Sequence, residues 1–354
     1  MTVLAGGSGD APRDEDALDE LLSTPDAATI AAVAALDGDI IVLGAGGKMG
    51  PTLARMARRA LDAAGVSRDG VGSRHVIAVS RFSDVRAAQT LERHGVVVHR
   101  ADLADPRAMP SLPFASNVLW LAGQKFGTAG DPIGTWMQNV VAPVHAAEQF
   151  AGARIVCFST GNVYARVAVA SGGARETDAL GPEGEYAMSC VARERVFEAV
   201  TRRHQSPLLL FRLFYACDLR YGVVTDVALR VLRGETVSLA VPAVNFIWQG
   251  DANRLALRSL ALAATPAAPR NVTGPIVRVR ELAERIGALA GVVPTFRDDE
   301  GSDALLANVE ALQALLPYDA LPPDTLLAWA IDWIRGNGRL LGKPTKFDVR
   351  DGRF

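Results

Sequence analysis

The sequence predicts an α/β protein, a Rossmann-type doubly wound parallel sheet carrying a smaller C-terminal substrate lobe. Three observations lead there. Short apolar runs rich in β-branched residues recur at 39–43, 75–80, 95–100, 117–122 and 154–158, separated by segments of helical length. The runs are apolar nearly throughout, as strands covered on both faces are. The first run ends in Gly44-Ala45-Gly46-Gly47-Lys48-Met49-Gly50, and the helical pattern Leu53, Met56, Ala57, Leu61 follows. Strand, glycine turn and helix in that order form the opening unit of a dinucleotide-binding fold.

Taken in order, residues 1–12 are rich in Gly, Ala, Ser and Asp and read as disordered. Residues 14–22 and 26–36 read as two helices parted by Ser23-Thr24-Pro25, making an N-terminal helical extension over 1–37. A dinucleotide-binding domain spans 38–215. In its first turn Gly44 permits the sharp reversal, Gly47 lets backbone N–H groups approach a pyrophosphate, and Gly50 lets the helix pack close to the strand. Gly46, Lys48 and Met49 complete that loop.

The second strand ends Ser80-Arg81-Phe82-Ser83, with no acid until Asp84. An acid there would hold the ribose hydroxyls of NAD, whereas a cation suits a 2′-phosphate. Arg81, with Lys48 as a second cation, therefore tilts an NAD(P) cofactor toward NADP. The third strand is followed by Asp102-Leu103, and the fourth ends at Ala122 with Lys125 just beyond. A helix over 135–150 carries Met137, Val141, Val144 and Ala147 on one face. The alternation weakens after about 214. Residues 216–354 form mainly the lobe, with helices at 226–232, 279–290 and 324–335, and with one later strand near 243–250 belonging to the Rossmann domain. The loop 165–185 closes over the site, and the tail 342–347 is too rich in breakers for a helix.

Composition bounds the partners. Net charge is −2, from 37 basic and 39 acidic residues, with no basic block that would suggest nucleic acid. No run of 18 apolar residues suggests a membrane span, and Met1–Glu20 is too acidic for a signal peptide. The three cysteines, Cys157, Cys190 and Cys217, form no CxxC pair and no metal-ligand spacing, which suggests a reducing cytoplasm and no metal site. Lysine is scarce: Lys48, Lys125, Lys343 and Lys346 are all there are, against 33 arginines.

At the fifth strand the residues become family-specific. Phe158-Ser159-Thr160-Gly161-Asn162-Val163-Tyr164 resembles the SSxxVYG signature of the NAD-dependent epimerase/dehydratase family, the extended short-chain dehydrogenases/reductases. Tyr186-Ala187-Met188-Ser189-Cys190-Val191-Ala192-Arg193-Glu194 resembles its YxxSKxxxE helix. The Gly44/Gly47/Gly50 spacing, Asp102-Leu103, Asn139-Val140, the 211–215 segment and its Tyr215, the 246–251 segment and the 271–274 segment match further motifs in order. The resemblance covers about 38–295. It implies that Thr160 holds a substrate oxygen and Tyr186 exchanges a proton. It places Tyr215 at the nicotinamide and Asn162, Asn245 and Trp248 at a sugar-like substrate. It also implies a homodimer through the helices at 135–150 and 186 onward.

One departure stands out: the family's lysine, four residues after the tyrosine, is Cys190. A phenol titrates at about 10, and a base working near neutrality needs a pKa roughly three units lower, worth about 4 kcal/mol. A thiol cannot supply what an ammonium does. Three readings are open: Lys125 stands in as the cation, Tyr186 works as an acid without a depressed pKa, or the chain is a catalytically silent dinucleotide-binding sensor or scaffold. Cys190 could itself react if its thiolate were stabilised, or be a small packed residue. The expected activity is hydride-transfer chemistry on a sugar or sugar-acid-like substrate, as dehydrogenase, epimerase or dehydratase.

Overall fold

Ile40–Leu43 (β1) is buried at every residue, which suits a strand with neighbours on both sides and helices on both faces. The computed structural model, which describes residues 10–343, 345–350 and 352, places it in the interior of a seven-stranded parallel sheet. Most of the stretch 1–12 lies outside the described residues. The other strands are Val76–Ser80 (β2), Val97–Arg100 (β3), Asn117–Trp120 (β4), Arg154–Thr160 (β5), Leu208–Leu213 (β6) and Ala268–Val272 (β7). Their order across the sheet is β7-β6-β5-β4-β1-β2-β3. Ile40 stands in register with Val76 on one side and Asn117 on the other. The order reverses at β1, and the carboxyl ends of β1 and β4 open a crevice there, where ligands bind in such sheets.

Successive side chains of β1 serve opposite layers. Ile40 and Val42 pack with Leu53, Met56, Leu91 and Leu255 beneath the helices Gly50–Ala63, Val85–Arg93 and Gln249–Ser259. Ile41 and Leu43 pack with Trp120, Phe150 and Phe197 beneath Ala142–Gln149 and Gly184–His204. Both faces are covered, as the sequence predicts.

The N-terminal helices are Glu15–Leu22 and Ala27–Ala34, each capped by an aspartate side chain, Asp14 and Asp26. They tie the two parts together: Val33 enters the sheet core, Leu18 and Leu22 enter the lobe core, and Glu20 pairs with Arg59 at 2.6 Å.

The lobe has its own three-stranded sheet, Tyr215–Cys217, Ala243–Trp248 and Ile276–Arg278, packed under Val223–Leu232, Val279–Ala290 and Pro323–Arg335. Here the boundaries expected from sequence change. The strand near 243–250 pairs within the lobe, not in the Rossmann sheet, whose seventh strand is the later Ala268–Val272. The loop 165–185 is pinned to the lobe, where Ala174 N–H donates to Leu306 and Ala168 pairs with Asp303. The described part of the tail is irregular. It is anchored by Leu341 N–H to the Arg220 carbonyl, by Thr345 to Asp226 and by buried Phe347.

Candidate active site

The site is built on the carboxyl ends of β1, β4 and β5. Gly44 has φ +95°, and a Cβ there would lie 2.5 Å from the Ala122 backbone nitrogen, so β1 can meet β4's loop only through glycine. A Cβ on Gly50 would fall 2.5 Å from the Ala45 Cα, which fixes the helix close to the strand end. Gly47 differs: a Cβ would meet only the Gly44 carbonyl oxygen, at 3.3 Å, because its other side faces the crevice. The Gly50–Ala63 helix has no side-chain cap on its first N–H groups. Uncapped donors at a helix start, beside a glycine that leaves the backbone bare, fit a dinucleotide pyrophosphate.

Two cavities meet at Gly44, Gly47 and Leu121. The outer one, of about 400 Å³, is walled by Gly46, Arg81, Asp84, Asp102, Leu103 and Ala122. The inner one, of about 240 Å³, is walled by Lys48, Met49, Lys125, Thr160, Tyr186 and Tyr215, among others. Every residue expected at the cofactor thus lines one or the other, but the two cations expected to act together are separated. Arg81 lies in the outer cavity, 4.0 Å from Asp102. Lys48 turns into the inner one, where its ammonium donates to the Ala216 carbonyl and sits 4.5 Å from the centre of the Tyr221 ring. Lys48 is therefore no partner of Arg81. The residue that does share Arg81's cavity is Lys343 of the tail, which only the tertiary fold brings there.

At the inner wall, β5 ends at Thr160, and the helix Gly184–His204 begins two residues before Tyr186. Thr160 and Tyr186 line the same cavity, with the Thr160 hydroxyl close enough to lower the phenol's pKa, and Thr160 donates to the Asn162 side chain at 3.0 Å. Burial pushes the Tyr186 phenol above its ordinary range, Cys190 adds to the shift, and the Arg193 guanidinium opposes it. Cys190 is fully buried against Val163, Tyr164 and Ala174, and burial holds its thiol protonated, so it is a packed residue and not a thiolate. Lys125 reaches the site from the opposite wall, its ammonium 5.9 Å from the centre of the Tyr186 ring and 5.7 Å from that of Tyr215. Burial draws its pKa down to about 8, with the charges of Lys48 and Lys346 adding to the shift.

A buried polar scaffold holds these groups. Arg193 donates to the Phe158 carbonyl at 3.0 Å and to the Asn139 carbonyl at 3.3 Å, and the Asn139 side chain donates to Ser189 at 2.9 Å. Asn139 sits in a π-helical turn, Met137–Val141, that re-aims it inward. Glu194, fully buried, receives Arg212 at 2.7 Å and Ser159 at 2.5 Å. Arg212 continues to Tyr164, and Tyr164 to Asn271 at 2.8 Å, linking β5, β6 and β7. Arg193 is a site residue absent from the expected set. Its only sequence signal is its place three residues after Cys190 and seven after Tyr186, on one helical face.

Two expected substrate residues lie elsewhere. Asn245 spends its side chain on the Gly274 carbonyl and on both backbone groups of Ala307, inside the lobe. Trp248 is buried edge-on against Trp329, with ring centres 5.9 Å apart, in the lobe core. Asn162 does line recesses next to the inner cavity, with Tyr215.

A model of the NAD-dependent epimerase/dehydratase family matches residues 40–254, more than half the chain. The chain belongs to this family. It is an enzyme of that class, and its cofactor is a nicotinamide dinucleotide. No curated protein matches it in sequence. Among solved structures it resembles MoeE5 in complex with UDP-glucose and NAD, at 22% identity and TM-score 0.66, over 85% of this chain and 99% of that one. It also resembles the UDP-glucose 4-epimerase of Thermotoga maritima with UDP-glucose, at 19% identity and TM-score 0.66, over 84% and 99% of the two chains. A third is the UDP-glucuronic acid 4-epimerase of Bacillus cereus in complex with NAD, at 17% identity and TM-score 0.67, over 84% and 96%. Identities this low show a shared fold. Cys190 stands four residues after Tyr186 on the same helix. Among the described residues no cluster of His, Cys, Asp or Glu could hold a metal ion, and no helix is long and apolar enough to cross a membrane.

Proposed function

We propose that this epimerase/dehydratase family member acts on a sugar-like substrate, with nucleotide-sugars the favoured class, by oxidation or reduction at a carbinol or carbonyl carbon held between Thr160 and Tyr186. The observation that carries the reading is that Thr160 and Tyr186 share the wall of the cavity that the glycine loop opens. The UDP-sugar complexes of the structurally similar proteins support the substrate class.

Gly44, Gly46, Gly47, Met49 and Gly50 would hold the dinucleotide's pyrophosphate, with Asp102, Leu103 and Ala122 on the adenosine side and Tyr215 on the nicotinamide side. Bound there, the nicotinamide supplies a hydride acceptor and donor. The chain's own residues handle the proton. Thr160 and Tyr186 orient the substrate oxygen, and Tyr186, kept protonated by burial, donates to an oxygen that gains charge. Lys125 offsets charge that develops on Tyr186, from the wall opposite Cys190. The NAD complexes of structurally similar proteins support NAD rather than NADP as the proposed cofactor.

Ile133, Trp136, Met137 and Met188 are exposed apolar side chains on adjoining helices, and Trp136 donates to Glu185 across them at 2.8 Å. That face supports a dimer of this chain, which a monomer mass in sedimentation would refute.

The test of function is fluorescence titration with NADH and NADPH, followed by turnover of UDP-glucose and UDP-glucuronic acid by the wild type and Tyr186→Phe. The expected result is NADH binding by both proteins and a loss of about 10²-fold or more in turnover by the variant. Full activity in Tyr186→Phe would remove its proton-transfer role. Cofactor binding without any turnover would favour the silent binding protein.

A further inference from the structure

Lysine is rare in this chain, and all four lysines lie along one cleft. Lys48 and Lys125 wall the inner cavity, and Lys343 walls the outer one. Lys346 lines a recess that shares Asn162, Tyr215 and Leu305 with the recess beside Lys125. Arginine meanwhile serves surface ion pairs such as Arg68 with Asp62 and Arg195 with Glu198. A chain that uses arginine almost everywhere keeps its compact, flexible ammonium groups for one place, and the two cations are not equivalent ligands.

The tail is what brings Lys346 there. On one side the backbone N–H of Thr345 donates to Asp226 at 2.9 Å. On the other, Phe347 is buried in the lobe core under Arg230, 5.3 Å from its ring centre. Farther on, Arg350 donates to the Ala240 and Asp303 carbonyls at 3.0 and 3.1 Å. Lys346 is therefore held between two anchors, with φ +54°.

The charge of this wall is one-sided. The described residues lining the inner cavity and its two neighbouring recesses include Lys48, Lys125, Lys346 and Arg166, and no Asp or Glu. Arg166 is engaged by Glu183 at 2.8 Å and by the Arg350 carbonyl. Asp226 and Asp348 stand behind the wall, on Thr345 and on Arg230. Lys125 and Lys346 are near enough for each to feel the other's charge.

We infer that the reacting unit of the substrate carries an oxyanion, a carboxylate or a phosphate ester, which Lys125 and Lys346 bind beside Tyr186, so that the C-terminal tail completes the substrate site. Two converging ammonium groups select an anion over a neutral hydroxyl, because charge-assisted hydrogen bonds are roughly twice as strong as neutral ones. The ammonium of Lys125 is 5.9 Å from the Tyr186 ring centre, so the anion sits beside the proton-transferring residue. It is thus distinct from the cofactor's pyrophosphate at Gly47. The inference rests on the proposed function for where the chemistry occurs.

The test is calorimetric titration of the full chain, preloaded with NADH, with three matched sugars: glucose, glucuronate and glucose 6-phosphate. At least one charged sugar is expected to bind about tenfold more tightly than glucose or better, and which one does so identifies the anion. Added salt should erode that preference. Lys346→Met should abolish it while NADH still binds. Failure of both charged sugars to bind more tightly than glucose overturns the inference, as does a preference that survives in Lys346→Met. The two readings fail separately. Absent NADH binding with an intact, Lys346-dependent preference removes only the cofactor assignment, whereas NADH binding without the preference removes only the anion site.

Discussion

Replacing Lys125 by Met should stabilise the cofactor-free chain at neutral pH. Burial draws the pKa of Lys125 from 10.5 to about 8. Each unit is worth about 1.36 kcal/mol, which makes roughly 3 kcal/mol the upper bound of what holding the charge costs the folded state. Lys125 keeps some solvent contact, and screening there reduces the expected gain to about 1–3 kcal/mol. The sign follows from proton linkage. Below about pH 8 the lysine is charged in both states, and the folded state bears the full cost. Between about 8 and 10.5 the folded chain sheds the proton while the unfolded chain keeps it, so the cost disappears as pH rises. Above that window neither state carries the charge. Urea unfolding of the wild type and Lys125→Met, followed by tryptophan fluorescence at pH 7 and pH 10, measures the difference directly. Groups that do not feel the charge of Lys125 titrate alike in both proteins and drop out of the comparison. The Met variant should lead at pH 7, and its lead should shrink at pH 10. A variant less stable than the wild type at pH 7, or a gap independent of pH, would refute the assignment of Lys125 as a costly buried cation kept for function.

The remaining predictions separate fold from function at other positions. Gly47→Ala should fold normally but bind NADH at least about tenfold more weakly, because its new methyl enters the crevice, whereas Gly44→Ala should lose about 1–3 kcal/mol of stability to strain at φ +95°. Thermal melts beside NADH titrations distinguish the two. Trp248→Ala should cost about 3–5 kcal/mol in urea unfolding through the lobe core, with NADH affinity unchanged in the folded fraction. Glu194→Gln should cost about 3–5 kcal/mol by leaving the buried Arg212 guanidinium without its carboxylate, and a loss under 1 kcal/mol would show that Tyr164 and the new amide oxygen suffice.

The parts of this fold legible in the sequence are those governed by local pattern. β1 to β5 are apolar runs that no other element tolerates at that length, and the glycine loop announces its backbone demands one residue at a time. The hydroxyl pair was legible because the motif fixes its spacing along strand and helix. What stayed hidden depends on side-chain direction and long-range contact. Ala243–Trp248 is buried at all six positions, so alternation gives no clue that Asn245 and Trp248 face the lobe interior. Lys48 belongs to the right loop, but its long side chain turns toward Ala216 and not toward Arg81. Lys343 and Lys346 reach the cleft only because Asp226, Arg230 and Asp303 anchor the tail.

These placements bear on the missing lysine. A lysine at position 190 would come from the same helix as Tyr186 and so lower the phenol's pKa from one side. Here that side is dry: Cys190 contributes no charge, and the Arg193 guanidinium one turn on is committed to the Phe158 and Asn139 carbonyls, where it braces the end of β5 against the helix. In the proposed mechanism the compensating charge comes from Lys125, which the loop after β4 carries and which Lys48 and Lys346 crowd. Buried like charges raise one another's cost, so the cluster is most stable when an anion sits among them. A group that brings its own negative charge would therefore do two things at once. It would offset the cost of holding Lys125 charged, and it would place the reacting oxygen against a phenol that burial keeps ready to donate. Reduction or proton donation to an anionic substrate is the chemistry such an arrangement favours, and deprotonation of a neutral alcohol by Tyr186 is the chemistry it disfavours.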